Sequence, residues 1–242
     1  YVKNGFKGAT YKFPKNTHTG TEALILAASL ARGRTILQNA AQEPEIDELI
    51  SFLNEMGANV KRIEPRTIQI EGVIKLHGAK FRIGPDRNEI VTLAVAAILT
   101  EGDVFIENIT KNGLIEFLLE LEKIGGGFEI KNKGIRFYYK GPLRGVKIAT
   151  APYPGFMTDW QGPWAVLMTQ ANGESVIHET VYENRLTYAR QLEKMGAKLS
   201  LFNPRVGNPN TFYNFNTNDD NNFYHAIKII GPTKLHNAVL TV

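Results

Sequence analysis

The acidic side chain with the strongest case for catalysis in this sequence is Asp159. It follows a Pro-Gly turn (YPGF, 153–156) and opens an apolar segment that contains Trp160 and Trp164. A carboxylate held beside two indole rings would have a raised pKa and could serve as a general base. The alternative is that Asp159 only caps a helix, because aspartate oxygens accept hydrogen bonds from the first N–H groups of a helix.

A second pair of carboxylates, Glu43 and Glu45, flanks a proline in the segment QEPEI. These side chains could bind hydroxyl groups or act as bases. The alternative is that they are acids in the first turn of a helix, where the helix dipole favours negative charge.

A third group of charges, Glu179, Glu183 and Arg185, lies in the segment ETVYENR at the end of a predicted strand. The alternative to a functional role is an exposed cluster of ions, which is common on protein surfaces.

Three predicted helices begin in a similar way, with NTHTGTE (16–22), PDRNE (85–89) and MTDWQ (157–161). Thr, Asp and Asn are favoured N-cap residues, and the N-terminus of a helix attracts phosphates and carboxylates. If the helices surround one axis, these ends would converge into a site for an anion. The alternative is that all three are only caps.

Several classes of site are not expected. The chain has no cysteine, its five histidines lack metal-ligand spacing, and it contains neither GxGxxG nor a phosphate-binding P-loop, so we predict no metal and no cofactor. The net charge of +4 is spread without a basic stripe, so we expect no nucleic-acid partner. No apolar run approaches the ~20 residues of a membrane span, so we expect no membrane association. The absence of cysteine fits a cytoplasmic location, which we also expect.

The positions of these residues follow from an internal repeat. Three apolar helices each end near a glycine (Gly33, Gly102 and Gly173), and these glycines are 69 and 71 residues apart. A β-branched strand, an amphipathic helix and two short strands follow each glycine, so the repeating unit reads β-α-β-α-β-β. Glycine is common just past a helix end because it adopts positive φ without strain.

Two architectures of the α/β class are compatible with this repeat. The first helix of each unit is apolar nearly all round and should be buried, whereas the second has a polar face. The units could surround the apolar helices with sheets outside, or they could form a two-layer sandwich with sheets inside. The third unit is interrupted at residues 203–222, which are rich in Asn and lack an apolar period, so we predict an exposed loop or long hairpin excursion there.

Four segments together resemble the enolpyruvyl transferases of the EPSP synthase family that act on UDP-N-acetylglucosamine. QEPEIDELISFLNEMGA resembles the family's Arg-Glu-Pro-Glu-Ile segment, with Gln42 in place of arginine, and IGPDRNEIV resembles Pro-Asp-Arg-Ile-Glu. APYPGFMTDWQ is similar to Pro-Tyr-Pro-Gly-Phe-Pro-Thr-Asp-Met-Gln, and ETVYENR is similar to Glu-Thr-Val-Phe-Glu-Asn-Arg. The four occur in the family's order and with matching separations.

The resemblance implies inverse α/β barrels, each of three repeats with helices inside and sheets outside. Residues 1–84 would form the last repeat of the catalytic-type domain. Residues 85–242 would form most of the second domain: two repeats and the start of a third, with the Asn-rich insertion at 203–222. The implied reaction transfers the enolpyruvyl group from phosphoenolpyruvate to the 3-hydroxyl of UDP-N-acetylglucosamine, the first committed step of peptidoglycan precursor synthesis.

The resemblance also implies roles for particular residues. Asp159 matches the carboxylate that contacts the reacting hydroxyl, and Glu43 matches a carboxylate near the reacting groups. The positions implied to bind UDP-N-acetylglucosamine are Thr17, His18, Thr19, Asp159, Val181 and Tyr182, and the implied interdomain or site-lining positions are Asp86, Arg87, Glu183 and Arg185. Thr19 replaces a glycine of the family's diphosphate-binding turn, although Gly20 follows directly.

Other parts of the family's site have no counterpart within these residues. A Lys-Asn pair, a mobile loop with a reactive Cys or Asp, and phosphate-binding arginines are expected before residue 1, and an Asp-Leu-Arg segment after Val242. The remainder of the enzyme chain would then be a partner of this one. The alternatives are a 5-enolpyruvylshikimate-3-phosphate synthase-like transferase and a non-catalytic scaffold of the same fold.

We therefore expect the 242-residue chain by itself to show no transferase activity. The measurement is phosphate release from phosphoenolpyruvate in the presence of UDP-N-acetylglucosamine. Turnover above background by the purified 242-residue chain would contradict this expectation.

Overall fold

A computed structural model describes residues 5–216 and 223–240 of the chain. The chain divides into two compact units, Tyr1–Gly84 and Pro85–Val242. The division falls at the boundary expected from the sequence, while the assignment of each unit to a particular domain of the family stays a prediction. No described helix is long and apolar enough to cross a membrane.

The first unit contains one complete β-α-β-α-β-β repeat. Its elements are β1 (Thr10–Lys12), α1 (His18–Ser29), β2 (Arg34–Gln38), α2 (Pro44–Glu55), β3 (Asn59–Glu64) and β4 (Thr67–Glu71). The sheet has the order β1-β2-β4-β3, in which β1 and β2 are parallel and the other pairs are antiparallel. Both helices pack together, and Ile25, Ile46 and Ile68 are among the residues of the core between helices and sheet.

The second unit contains two repeats. Its elements are α3 (Arg87–Leu99), β5 (Asp103–Glu107), α4 (Ile115–Ile124), β6 (Gly127–Lys131), β7 (Gly134–Tyr138), β8 (Lys147–Ala149), α5 (Gln161–Met168), β9 (Gly173–His178), α6 (Ala189–Lys194), β10 (Lys198–Phe202), α7 (Pro209–Phe212) and β11 (Ala226–Gly231). The sheet order β8-β9-β11-β10 repeats that of the first unit strand for strand, including its single parallel pair. The three-stranded sheet β5-β7-β6 has the same order without the first strand, because residues 73–86 form neither helix nor strand.

The apolar helices of the second unit lie inside and its sheets lie outside. Helix α3 packs against α5, and each also packs against its own sheet, α3 on β5 and β7, α5 on β9 and β11. The sandwich with sheets inside is therefore wrong for this unit. Burial of the apolar helices is incomplete, since Leu26 of α1, Leu30 directly after α1 and Leu93 of α3 are about half exposed.

The glycines that follow the apolar helices agree with the prediction in two repeats and differ in one. Gly33 has φ 90° and Gly173 has φ 99°, conformations that L side chains rarely adopt. In the middle repeat the left-handed residue is Glu101, with φ 53°, one position before Gly102. The expectation that Gly102 supplies the positive φ is therefore wrong.

The excursion between β10 and β11 is a long hairpin connection, as expected, but it is not wholly exposed. Its residues Tyr213 and Phe215 are 4% and 8% exposed, and α7 lies just before them. The prediction of an exposed loop is wrong for these two aromatic residues, because they pack against side chains distant in sequence and leave no local periodicity. Residues 217–222 of the excursion lie outside the described residues.

The centre of the second unit is a cluster of aromatic rings. The Phe117 ring lies 5.9 Å, centroid to centroid, from both Trp160 and Trp164, and Phe156 lies 5.4 Å from the same two rings. Edge-to-face contacts of this kind add to the stabilisation from buried apolar area.

We expect Phe117→Ala to lower the free energy of unfolding of the second unit by about 3–5 kcal/mol, because it leaves a cavity among rigid rings. The chain has two tryptophans, Trp160 and Trp164, so the unfolding of this core can be followed by tryptophan fluorescence in a urea titration. The matched control is Phe105→Ala, which truncates an aromatic ring that is 41% exposed. Equal losses from the two substitutions would contradict the central role of Phe117.

Candidate functional site

Asp159 lies in a single 3-10 turn, Thr158–Trp160, that leads directly into α5. The residues at the N-cap positions are Met157 and Trp160, and neither makes a side-chain cap hydrogen bond. The capping interpretation of Asp159 is therefore wrong. The expected enclosure by indole rings is also wrong, because Trp160 and Trp164 point into the core while Asp159 is exposed.

The Asp159 carboxylate is paired with the guanidinium of Arg185. The same guanidinium carbon lies 5.9 Å from the centroid of the Tyr182 ring. The structure thus brings three of the predicted site residues together on an open surface, where about 40% of the Asp159 side chain and 38% of the Arg185 side chain are accessible. This surface holds a carboxylate, a cation and an aromatic face within reach of one small ligand.

Glu179 is buried, and its carboxylate ties two segments of the site together. One oxygen accepts hydrogen bonds from the backbone N–H groups of Val181 at 2.6 Å and Tyr182 at 2.8 Å. The other accepts from the Thr158 hydroxyl at 2.7 Å and from the amide of Gln161. The interpretation of this segment as an exposed ion cluster is therefore wrong for Glu179, which is 1% exposed.

Sequence reasoning missed the role of Glu179, Thr158 and Gln161, although one signal was present. Side chains alternate along a strand, so Ser175, Ile177 and Glu179 fall on one face of β9 and its extension. Ser175 and Ile177 are buried, and the alternation carries Glu179 to the same inward side. A carboxylate at the inward end of a strand requires donors, and the polar side chains near the start of α5 are placed to supply them.

Asp86 and Arg87 stand at the start of α3. Asp86 caps the helix, since its carboxylate accepts a 2.7 Å hydrogen bond from the Asn88 N–H. Arg87 is 4% exposed, and its guanidinium donates to the Gly113 carbonyl at 3.2 Å. Its guanidinium carbon also lies 5.7 Å from the Trp160 ring centroid. Arg87 is thus inside the unit beside the turn that carries Asp159, rather than on the open surface expected of a site-lining residue.

Glu183 and Val181 flank Tyr182 in the loop that follows β9. Both are partly buried, whereas the Tyr182 ring is 49% exposed. The Val181 N–H is engaged by Glu179, so other atoms of Val181 must make any ligand contact. Burial lowers the pKa of His225, and the backbone and charge of Glu183 oppose that shift.

In the first unit, Thr17, His18 and Thr19 form the start of α1. The Thr17 side chain caps the helix by accepting a 3.2 Å hydrogen bond from the Gly20 N–H. A Cβ at Gly20 would lie 2.5 Å from the Thr17 methyl, so glycine is required for this cap. The His18 ring nitrogen lies 3.4 Å from the Glu22 carboxylate, and Thr19 is exposed. Backbone N–H groups of a first turn have no partner within the helix and can bind an anion.

Glu43 precedes α2 and is 7% exposed. Its Oε2 is buried without a hydrogen-bond partner among the described residues, and its side chain makes no cap hydrogen bond. Glu43 is close in sequence to Ala41, whose N–H donates to the Thr21 hydroxyl of α1 at 3.0 Å. The start of α1 and the segment leading to Glu43 are therefore joined within one unit. Glu45 lies in the first turn of α2, as the helix-dipole alternative expects.

Comparison with known proteins shows to which family this chain belongs. The sequence profile of the EPSP synthase family, described as EPSP synthase (3-phosphoshikimate 1-carboxyvinyltransferase), matches residues 2–214. The chain belongs to the EPSP synthase family. Within the residues that the structure describes, no group of three or more His, Cys, Asp or Glu side chains is placed to hold a metal ion.

Relatives within the EPSP synthase family share a name. The chain is 42% identical over 236 residues to the UDP-N-acetylglucosamine 1-carboxyvinyltransferase of Protochlamydia amoebophila, which covers 97% of this chain and 50% of that protein. It is 43% identical over 239 residues to the protein of that name from Chlamydia abortus, covering 98% and 53%. The chain thus spans about half the length of the curated relatives it matches.

A solved structure supports the family fold. The enolpyruvyl transferase NikO from Streptomyces tendae superposes with a TM-score of 0.78 and covers 98% of this chain and 54% of that one, at 20% identity. At that identity the likeness concerns the fold alone. The α/β fold with repeated units and the membership of the EPSP synthase family are confirmed.

The buried carboxyl group of Glu179 should make the stability of the protein depend on pH. Burial raises its pKa, and the hydrogen bonds from Thr158, Tyr182 and Val181 oppose that shift only in part. The folded protein then binds this proton more tightly than the unfolded chain does. The stabilisation is present below the ordinary pKa of 4.5 and is lost as pH rises through the raised value.

We expect Glu179→Gln to remove this decline, because glutamine has no proton to lose. Wild-type stability should fall relative to the variant as pH rises above 4.5, as measured by urea unfolding with tryptophan fluorescence. Glu122→Gln, which replaces an exposed glutamate of α4, controls for the loss of one negative charge. Parallel stability profiles of wild type and Glu179→Gln would show that burial does not raise this pKa.

Proposed function

We propose that this chain is part of an enzyme that transfers the enolpyruvyl group from phosphoenolpyruvate to the 3-hydroxyl of UDP-N-acetylglucosamine. The observation that carries the proposal is the 42% identity, over 97% of the chain, with a relative named UDP-N-acetylglucosamine 1-carboxyvinyltransferase. Because the chain spans half of that relative, the activity is proposed for the whole protein. The substrates proposed as partners are therefore UDP-N-acetylglucosamine and phosphoenolpyruvate, together with the remainder of the enzyme chain.

Asp159 is the proposed base. In the addition step its carboxylate takes the proton of the 3-hydroxyl while that oxygen bonds to C2 of phosphoenolpyruvate and a proton is added to C3. In the elimination step the bond from C2 to the phosphate oxygen breaks and C3 loses a proton, which leaves the enolpyruvyl ether and inorganic phosphate. The exposure of Asp159, and its contact with Arg185, support a role toward a ligand, because neither capping nor burial accounts for the carboxylate.

The residues around Asp159 have proposed binding roles. Tyr182 presents an exposed ring beside Arg185, a combination suited to stacking on a flat heterocycle or to packing against a sugar ring. Backbone atoms of Val181 and the carboxylate of Glu183 would line the same side of the proposed binding site. Arg87, which is buried against Trp160, would hold the turn rather than touch substrate.

Two features of the first unit support binding roles there. The first-turn N–H groups of His18 and Thr19 are suited to the diphosphate, and Thr17 fixes the turn that presents them. Glu43 has a buried oxygen without a partner among the described residues. A buried acceptor left unsatisfied destabilises the fold, so a donor supplied by a ligand hydroxyl is the simplest account of its presence.

The biological role follows from the reaction. An enzyme with this activity would act in peptidoglycan synthesis, and so in cell wall biogenesis, cell shape and cell division. We also propose a cytoplasmic location, which the absence of cysteine from the chain supports.

The decisive experiment measures Asp159→Asn in the full-length protein. We expect kcat to fall by about 10²–10⁴-fold, which is typical of a lost general base. The melting temperature should stay nearly unchanged, because exposed ion pairs contribute little to stability. Phosphate release is measured with UDP-N-acetylglucosamine and, separately, with shikimate 3-phosphate as acceptor.

The matched control is Asp103→Asn. Asp103 is an exposed carboxylate on β5, paired with Arg136, so its substitution also removes one exposed ion pair from the second unit. Full activity is expected in this control. An Asp159→Asn enzyme that turns over within a few-fold of wild type would remove Asp159 from the mechanism, and turnover with shikimate 3-phosphate alone would overturn the proposed acceptor.

A further inference from the structure

The excursion that joins β10 to β11 is closed at its base by one side chain. The Asn203 amide donates a 3.2 Å hydrogen bond to the Phe223 carbonyl, and its carbonyl oxygen accepts a 2.8 Å bond from the His225 N–H. The two ends of the excursion are therefore held together beside the strands that they leave.

Aromatic rings of the described part of the excursion pack against the end of β9. Phe212 stacks on His178 with ring centroids 5.2 Å apart, and Tyr213 stacks on Phe215 at 4.8 Å. The Tyr213 hydroxyl lies 3.0 Å from the His178 Nε2. His178 is the last residue of β9 and directly precedes Glu179, so the rings reach the point at which the loop of the candidate site begins.

One backbone hydrogen bond connects the excursion to that loop. The Asn214 N–H donates to the Thr180 carbonyl at 2.7 Å. Thr180 is held from its other side by Thr150, whose hydroxyl accepts from the Thr180 N–H at 2.9 Å. The excursion thus provides a second support for the residue that immediately precedes Val181.

We propose that Tyr213 and Asn214 are positioning residues that hold the segment 179–182, and that the excursion thereby sets the affinity for the nucleotide sugar. The proposal rests on the proposed function in that Val181 and Tyr182 are taken to contact this substrate. Glu179 fixes the segment from inside the unit through the N–H groups of Val181 and Tyr182. Asn214 fixes it from outside through the Thr180 carbonyl, and the buried Tyr213 ring holds Asn214 in place.

Asn214→Pro tests the hydrogen bond itself, because proline has no N–H to donate. The preceding residue, Tyr213, has φ −88° and ψ 142°, a conformation that is favoured before proline. Asn214→Ala keeps the N–H and removes only the side chain. Thr211→Ala is a control within the same excursion, since Thr211 is exposed and its hydroxyl donates to the nearby Asn208 carbonyl at 3.1 Å.

In the full-length enzyme we expect Asn214→Pro and Tyr213→Ala to raise KM for UDP-N-acetylglucosamine by about 2- to 10-fold, the range of one to two lost hydrogen bonds. KM for phosphoenolpyruvate should not change, and Thr211→Ala should match wild type. A merely structural role would lower the melting temperature and the amount of active enzyme without changing KM for one substrate. Unchanged KM in both Asn214→Pro and Tyr213→Ala would overturn the proposal.

Hydrogen exchange separates this proposal from the proposed function, because it needs no substrate. In the full-length protein we expect faster exchange of the Val181 and Tyr182 amides in Asn214→Pro and Tyr213→Ala than in Thr211→Ala. Unchanged exchange would overturn the positioning role even if the enzyme is active. If exchange is faster in these two variants but the wild-type protein neither binds nor converts UDP-N-acetylglucosamine, the positioning role stands, and the proposed function and the affinity claim are overturned.

Discussion

The geometry of the candidate site depends on one buried carboxylate. Glu179 accepts hydrogen bonds from the turn that carries Asp159 and from the loop that carries Tyr182, so a single side chain fixes the distance between two segments about 20 positions apart. A buried carboxylate must keep its donors, because their loss would leave a charge without compensation in a poorly solvated place. Neither segment can therefore shift without disrupting the other.

Each of the three repeats has an equivalent hydrogen bond, although different side chains make it. The first helix of a repeat is joined to the segment after its second strand: Thr21 accepts from the Ala41 N–H in the first repeat, and Arg87 donates to the Gly113 carbonyl in the second. Gln161 donates to Glu179 in the third. A repeated fold thus offers equivalent places for polar groups, and in the third repeat the link lies beside an exposed acid.

The sequence predicted the parts of this arrangement that local periodicity encodes. The β-α-β-α-β-β order and Gly33 and Gly173 could be recognised because alternation, helical period and positive φ leave local signals. The burial of Glu179 and Tyr213 could not be recognised in that way, since each is buried by residues far away in the chain. The pairing of Asp159 with Arg185 was likewise hidden, because it depends on how a turn and a distant loop meet.

The contrast between Asp159 and Glu179 indicates which acid is available for chemistry. Four donors from the protein saturate the Glu179 carboxylate, so it has no capacity left for a substrate and its contribution is structural. Asp159 makes an exposed pair with Arg185, and such pairs add little to stability. The rigid carboxylate therefore positions the exposed one. Under the proposed function, a substrate hydroxyl at Asp159 would meet an acceptor whose place is set by the buried network rather than by its own contacts.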